Sequence, residues 1–185
     1  MEFLFQEEVE NKKELEQILQ QKSIDIPDYC IGVISMLKNT KNECLLQRRG
    51  PKSRDEHFKL EEIGGGVEET DQNFRFSVMR EIQEEVGNKA QFELGNFVGA
   101  FYNKKFDQRA NLDIHWLFLV YEGTYLGGEL EISEPGKCLG YEFYASDKLP
   151  FNEMSEGCLF LHHFCDKDSK IIKRAKINNE LKFDN

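Results

Sequence analysis

The chain has 185 residues, of which 39% are hydrophobic and 12% aromatic, so it can build a core that a disordered chain could not. This length favours one domain, since domains commonly run about 100–200 residues. Lys and Arg number 24 against 34 Asp and Glu, a net charge of −10, which argues against a partner that is polymeric nucleic acid. No apolar run approaches the ~18 residues of a membrane span, so a membrane partner is not expected either.

The five cysteines indicate a reduced, cytoplasmic protein. They are odd in number, widely spaced and without a Cys-x-x-Cys pair, whereas a secreted disulfide framework is usually even and dense. A zinc site is not expected, because His162, His163 and Cys165 lack a second spaced pair of ligands. The two histidines are instead predicted to lie on an ordinary helix. The first residues lack a basic segment followed by an apolar run, so no secretory signal is expected.

The N-terminal third of the chain predicts a helix followed by a hairpin. Residues 7–21 place apolar side chains at helical spacing among charged neighbours, and Pro27 closes the segment. Apolar strand formers at 29–37, a polar turn at 39–42 and a second run at 43–48 then predict two antiparallel strands.

The rest of the chain predicts a mixture of strands and helices. A polar loop at 50–57 is followed by a short apolar run at 58–63 and three glycines at 64–66. A second helix is predicted at 71–86, and three strands at 91–102, 114–121 and 140–145. A last helix at 152–164 and a polar tail at 170–185 end the chain. Strands, helix, strands and helix in this order favour an α+β layered domain.

The segment most informative about chemistry runs from the three glycines into the second helix. On a helix, Glu81, Glu84 and Glu85 fall within an arc of roughly 100°, beside an apolar arc. Carboxylates this close repel one another, and Mg²⁺ relieves the repulsion because it prefers oxygen ligands. The glycines are expected to let the backbone turn tightly and approach a ligand. The alternative is a solvated acidic face, which charge runs usually are.

These residues resemble the Nudix box, G-x5-E-x7-R-E-U-x-E-E-x-G-U, in which U is apolar. Residues 80–87, Arg-Glu-Ile-Gln-Glu-Glu-Val-Gly, match it without a gap, although Asn88 replaces the last apolar position. The first glutamate of the box falls on Gln72 when counted back from the arginine, and on Asp71 when counted forward from the glycines. We prefer Asp71, which implies one inserted residue at the start of the helix.

Three other segments resemble MutT-like members of the same family. Residues 59–68, Lys-Leu-Glu-Glu-Ile-Gly-Gly-Gly-Val-Glu, are similar to the MutT-type loop, and residues 45–49 look like the strand before it. Residues 133–150 resemble the ending of members that clean nucleoside triphosphate pools, with Tyr141 and Phe143 where those have Trp.

The resemblance covers roughly residues 29–150 and implies a fold. This is an α+β, Nudix-type α/β/α sandwich with a mixed β-sheet between helices. It also implies an N-terminal helical extension at 1–26, a Nudix hydrolase domain at 27–168 and a polar C-terminal tail at 169–185.

The same resemblance implies a metal-dependent hydrolase of phosphoric anhydride bonds. Its cofactor would be Mg²⁺, with Mn²⁺ as the alternative, held by Glu81, Glu84, Glu85 and the carbonyl of Gly64. Such ions can neutralise a diphosphate and lower the pKa of a bound water. Arg80 would pair with a helix carboxylate, because guanidinium is a rigid bidentate partner; an ordinary surface ion pair is the alternative.

Further residues are candidates for contacting the substrate. Glu134 is expected from a facing loop as a further ligand or general base, with a solvated loop glutamate as the alternative. Arg48 is a candidate phosphate contact, or equally a surface charge. Aromatic residues that could stack on a base, or belong to the core, are Phe101, Tyr102, Phe106 and Tyr125.

The favoured hypothesis is a pyrophosphohydrolase that cleaves a nucleoside triphosphate, with modified purines as first candidates, to the monophosphate and pyrophosphate. A nucleotide sugar, a dinucleotide, NADH or a non-nucleotide diphosphate remain alternative substrates. A non-catalytic nucleotide-binding module is a further alternative, motivated by the irregularity at residues 71–72. The sequence leaves open whether the chain forms a homodimer.

Overall fold

The computed structural model of the chain describes residues 1–107 and 111–165. The polar tail predicted at 169–185 therefore lies outside the described residues. The described strands are β1 (Phe3–Phe5), β2 (Tyr29–Asn39), β3 (Glu43–Arg49), β4 (Leu60–Glu61), β5 (Ile63–Gly66), β6 (Gln91–Asp107), β7 (Leu112–Gly127) and β8 (Cys138–Ala145). The described α-helices are α1 (Lys12–Gln21), α2 (Phe74–Val86) and α3 (Glu156–Cys165).

The strands form one mixed sheet. Its path runs β1-β6-β7-β2-β3-β4, while β5 also pairs with β2 and β8 with β3. The pairing of β2 with β7 is parallel, and the other strand pairs are antiparallel. The predicted hairpin is β2–β3, joined where Lys38 pairs with Cys44.

The predicted helices are present, but two of them begin later than expected, because side chains cap them. The amide of Glu14 donates to Asn11 at 3.1 Å, and the amide of Phe76 donates to Asn73 at 2.8 Å. Each asparagine satisfies a backbone donor that the first helical turn leaves unpaired. Gly87, with a φ of 83°, follows the last residue of α2. The last predicted helix is divided into a short 3₁₀ turn, Phe151–Glu153, and α3.

Alternation along the strands sends side chains to helices on both faces of the sheet. Val33 and Leu37 of β2 belong to the core cluster that includes buried residues of α1 and α2. Met36, from the same strand, packs with Leu161 of α3 in a second cluster. Because successive residues of a strand face opposite ways, a single strand serves both layers. The result is the α/β/α sandwich with a mixed sheet, as predicted.

A strand that the sequence did not predict closes one edge of the sheet. In β1, Phe3 pairs with Phe101 and Phe5 with Ala100 of β6. Leu15 of α1 is fully buried in the same core as the central strands. The N-terminal residues therefore pack on the sheet that carries the rest of the fold. The sequence did not predict β1, because three residues are too few to show the alternation of apolar and polar side chains that is typical of a strand.

The three glycines form strand β5, and the tight turn expected of them is wrong. Gly64, Gly65 and Gly66 pair with Ile34, Val33 and Gly32 of β2, and none of the three has a left-handed φ. Their small size lets β5 lie close to β2, while the predicted close approach to a ligand stays a prediction. A Cβ atom on Gly64 would overlap the carbonyl oxygen of Val33.

Cys30, Cys44, Cys138 and Cys158 are free thiols, and all but Cys30 are buried. Their packing agrees with the expectation that these cysteines are reduced. Within residues 1–107 and 111–165, none of the helices is both long and apolar enough to cross a membrane.

Candidate active site

A cavity of about 410 Å³ opens between α2, β5 and the face of the sheet that α3 covers. Its acidic side contains Glu61, Glu81 and Glu85, which come from β4 and from successive turns of α2. Gln47 and Arg49 of β3 line the same side. The cavity thus gathers carboxylates from two elements that are distant in sequence.

Glu85 lies at the buried centre of the acidic side. Both of its carboxylate oxygens accept a hydrogen bond from Nε2 of Gln47, each at 3.1 Å, and one also accepts from the amide of Gly64 at 3.1 Å. Burial, together with the nearby charge of Glu61, raises the pKa of Glu85 to about 8. The metal-free protein therefore holds this carboxyl largely neutral at pH 7.

Glu61 is a member of the site that sequence analysis did not assign. Its carboxylate forms an ion pair with Arg49 and accepts from Nε2 of Gln47 at 3.3 Å. Burial raises the pKa of Glu61, although the charge of Arg49 opposes the shift. The sequence offered one signal, because Glu61 lies within the MutT-like segment at 59–68. In the structure, Glu61 follows the buried Leu60 and lies opposite Gln47 in the sheet.

Arg80 holds the acidic end of α2 together. Its guanidinium donates to both oxygens of Asp71 at 2.9 Å, to Glu81 at 2.9 Å and to Glu84 at 3.1 Å. It also donates to the carbonyl of Gly66 at 2.8 Å, which ties the helix to β5. These hydrogen bonds hold the pKa of Asp71 well below its usual range. Asp71, the residue that the preferred alignment chose, is thus the hydrogen-bond partner of Arg80, and its place in the motif stays a prediction.

The three helix glutamates do not all face the cavity. The side chain of Glu81 is 13% exposed and that of Glu84 is 57% exposed. Glu81 and Glu85 line the cavity, while Glu84 lies outside its lining and contacts Arg80. Gly65 lies so close to Glu81 that an added Cβ atom would overlap the carboxylate. The glycine strand therefore fixes the position of Glu81.

Of Glu134, predicted as a further ligand or general base, and Arg48, predicted as a phosphate contact, the structure brings only Glu134 to the cavity. Glu134 lines the cavity from the loop before β8, where Lys137 pairs with it at 2.6 Å. Arg48 lies elsewhere, with ion pairs to Glu142 at 3.0 Å and to Glu153 at 2.9 Å. The neighbouring Arg49 lines the cavity instead, because adjacent residues of β3 face opposite sides of the sheet.

The aromatic wall of the cavity also differs from the predicted one. Phe101 is buried and lines the cavity. Tyr102 is not part of the lining, and its hydroxyl lies 2.6 Å from Nδ1 of His115. Trp116 and Phe118 of β7 line the cavity as a stacked pair, with ring centroids 5.4 Å apart and planes 9° from parallel. The other two aromatic candidates, Phe106 and Tyr125, lie outside this cavity.

Polar groups lie along this wall as well as rings. The buried Nε1 of Trp116 has no hydrogen-bond partner within the described part of the chain. Asn103, a buried residue that pairs with Trp116 in the sheet, also lines the cavity. The guanidinium of Arg54 lies over the Trp116 ring, 5.0 Å from its centroid. The wall thus combines flat rings, a cation and polar groups.

Carboxylate oxygens suit a hard divalent cation, and a flat aromatic wall suits a planar ring. The fold and the cavity together define a small α+β sandwich protein with a cleft for a charged small molecule. The family model of the NUDIX domain matches residues 28–160, which is most of the chain. The chain belongs to the NUDIX family and is a hydrolase that acts on phosphoric anhydride bonds. Family members generally use a divalent metal ion.

Several solved structures share the fold of this chain. A MutT NUDIX hydrolase from Burkholderia pseudomallei is 21% identical, with a TM-score of 0.57 over 74% of this chain and 97% of that one. A MutT protein from Methanosarcina mazei Go1 is 22% identical, with a TM-score of 0.59 over 84% and 99%. A UDP-X diphosphatase is 15% identical, with a TM-score of 0.51 over 83% and 70%. No curated protein matches the sequence.

Proposed function

We propose that the chain is a Mg²⁺-dependent pyrophosphohydrolase that converts a nucleoside triphosphate to the monophosphate and pyrophosphate. Mn²⁺ is the alternative ion, and nucleotides with altered purines are the first candidates. The observation that carries the proposal is that Glu61, Glu81 and Glu85 share one cavity with the Trp116–Phe118 wall. A cation held on the acidic side and a base held on the wall would place a diphosphate between them.

The acidic side fits a hard divalent ion. Glu61 and Glu85 are half-buried carboxyls, the charge of Glu61 raises the pKa of Glu85, and Arg49 is the cation paired with Glu61. Their oxygens are the donor type that Mg²⁺ prefers. We propose Glu81, Glu84, Glu85 and the Gly64 carbonyl as the metal-holding groups, and add Glu61. When bound, the ion would neutralise the diphosphate and lower the pKa of a water.

The protein's own residues orient these groups. Arg80 holds Glu81 by an ion pair of 2.9 Å, so the carboxylate keeps its position when charge around it changes. Gln47 and the Gly64 amide orient the carboxylate of Glu85. We propose Glu134 as the general base that takes a proton from the attacking water, since it lines the cavity from a facing loop.

The wall supports a nucleotide over a non-nucleotide diphosphate. The Trp116 and Phe118 rings offer a stacking surface, and Arg54 can stack on the exposed face of a bound base or pair with a phosphate. The Asn103 amide and Trp116 Nε1 can each hydrogen-bond a polar group on the base edge. A site built to hydrogen-bond one polar group discriminates strongly against a base that lacks it.

A substrate panel tests the reaction. Nucleoside triphosphates, nucleotide sugars, dinucleotides, NADH and non-nucleotide diphosphates are incubated with the protein, with Mg²⁺ or with excess chelator, and phosphorus NMR follows the products. We expect monophosphate and pyrophosphate from a triphosphate, and no turnover in chelator. Orthophosphate as the product would contradict the proposed linkage. Faster turnover of a nucleotide sugar would contradict the substrate class.

The single tryptophan of the chain tests base binding directly. Trp116 is the only Trp, so its fluorescence reports on the wall without interference. In a Glu85→Gln variant, which we expect to bind but not turn over, a triphosphate should quench this fluorescence and tripolyphosphate should not. Equal quenching by both ligands would place the nucleotide base elsewhere.

A further inference from the structure

A second group of ligand-type side chains lies where α3 packs on the segment between β4 and β5. Cys158 and His162 are four residues apart on α3 and so share one face of the helix. Glu62 follows directly after β4. All three residues are buried, with exposures of 6% for Glu62, 3% for Cys158 and 6% for His162. One ligand atom from each lies within 4.8 Å of the other two.

The hydrogen bonding within this group is incomplete. Nε2 of His162 lies 2.5 Å from Oε1 of Glu62, which accounts for one carboxylate oxygen. The other oxygen, Oε2, is buried and has no hydrogen-bond partner in the part of the chain that the structure describes. Leaving a buried carboxylate oxygen without a partner destabilises the folded state. A buried cation would remove that cost.

The donor set differs in kind from that of the acidic cavity wall. It offers one sulfur, one imidazole nitrogen and one carboxylate oxygen, a combination typical of zinc sites and foreign to Mg²⁺. A thiolate and a carboxylate together carry two negative charges, which balance a divalent ion inside the core. Cys44 interacts with the same imidazole, and such contacts fix the orientation of a ligating ring.

We infer that Glu62, Cys158 and His162 form a Zn²⁺ site, distinct from the proposed Mg²⁺ site, that fastens α3 to the strand segment carrying Glu61. Glu62 and Cys158 also line the cavity, so a water can supply the fourth ligand from there. Loading displaces the thiol proton of Cys158 and the proton shared by Glu62 and His162, and both protons go to solvent. The expectation from sequence that no zinc site exists missed this set, because Glu62 is remote from α3 in the chain.

Cobalt spectroscopy on the full chain, with no affinity tag, tests the inference. Co²⁺ replaces Zn²⁺ and shows a thiolate charge-transfer band only when a cysteine sulfur is bound, so Co²⁺ at the oxygen-only site does not interfere. We expect this band to saturate at one Co²⁺ per chain and to be displaced by Zn²⁺. Zn²⁺ should also raise the melting temperature in the presence of excess Mg²⁺.

Matched variants locate the sulfur. Cys158→Ser should abolish the band, whereas Cys30→Ser, at an exposed thiol, should leave it unchanged. Circular dichroism checks that each variant is folded, and X-ray absorption of the zinc-loaded native chain shows sulfur ligation without any substitution. Absence of the band and of sulfur ligation in the native chain would overturn the site. A band that survives Cys158→Ser in folded protein would also overturn it.

Discussion

Gly65 lies beside Glu81 with no room for a side chain between them. A methyl group there would overlap the carboxylate, which is the movable end of a flexible side chain rather than backbone. We therefore predict that Gly65→Ala displaces Glu81 and lowers kcat at least tenfold, while the melting temperature changes little. Steady-state kinetics and thermal melts measure the two effects.

Gly66→Ala is the matched control for this prediction. No atom lies within 4 Å of a Cβ added at Gly66, which is the next residue of the same strand. This variant should keep the activity of the parent chain. Equal loss of activity in both variants would mean that backbone stiffness, and not the space beside Glu81, is what matters.

Glu85 should make the metal-free protein less stable as the pH rises. Its pKa is about 8 in the folded chain, above the ordinary value near 4.3 that applies when unfolded. The folded state therefore binds the proton more tightly, so stability is full below about pH 4 and is lost as the pH rises to 8. The loss is on the order of a few kcal/mol, or roughly 5–15 °C in melting temperature.

Thermal melts in excess chelator between pH 5 and pH 8 measure this slope. Glu85→Gln removes the titrating group and should make the slope shallower, leaving the parts that Glu61, Glu81 and His162 contribute through their own raised pKa values. At pH 8 the variant should melt above the parent chain. Glu84→Gln, at the exposed neighbouring position, should leave the slope unchanged. A parent chain whose melting temperature is constant over this range would refute the argument.

At the scale of elements, the start of α2 depends on one ion pair. Asp71 lies ahead of the helix and accepts hydrogen bonds from Nε and Nη2 of Arg80, each at 2.9 Å. We predict that Asp71→Asn lowers kcat roughly tenfold, since loss of about 1.4 kcal/mol of orientation is tenfold in rate. Gln72→Ala, at the exposed adjacent residue, should have no effect. Kinetics of the two variants decide which residue takes the place of the motif's first glutamate; a larger effect at Gln72 would reverse the alignment.

The elements themselves were predictable, but the direction of their side chains was predicted less well. Helical spacing and apolar runs located α2, β2 and β3, because these patterns extend over many residues. Within a strand, however, a shift of one position reverses the face. Arg48 and Tyr102 were chosen, whereas their neighbours Arg49 and Asn103 line the cavity, since the sequence does not say which face of each strand the cavity occupies.

Contacts between distant segments account for what the sequence did not predict. The roles of Glu61 and Glu62 depend on burial against α2 and α3, which neither residue's neighbours in sequence reveal. The local motif of residues 80–87 was sufficient to predict that Glu81 and Glu85 share a cavity and that Arg80 pairs with a helix carboxylate; their roles stay predictions. The motif predicted that Glu84 faces the cavity, whereas its side chain is largely exposed. Helical spacing gives the angle of each side chain around the helix axis, but it does not say which side of the helix packs on the sheet.

At the scale of the whole molecule, the N-terminal residues contribute to the central core. Leu15 is fully buried, and its cluster includes residues of β2, α2 and β7. We predict that Leu15→Ala destabilises the entire chain by about 2–4 kcal/mol, since truncation of a buried Leu leaves a cavity. Chemical denaturation followed by fluorescence of Trp116, which lies far from Leu15 in sequence, measures this.

Glu16→Ala, at an exposed position on the same helix, is the control and should change stability by less than about 0.5 kcal/mol. If Leu15→Ala melts α1 alone while the tryptophan signal keeps its midpoint, the N-terminal residues form a separate unit.

The parallel pairing of β2 with β7 has a consequence for how the chain folds. Tyr29 pairs with His115 and Asn39 with Tyr125, so the centre of the sheet joins segments that are synthesised far apart. The residues that supply the acidic side of the cavity all leave the ribosome before the strand that completes their support. Pairings between such distant segments are slow to form. The carboxylates of the acidic side, which repel one another, therefore lack the support of the complete sheet until β7 has been synthesised. We expect the cleft to be one of the last parts of the molecule to form.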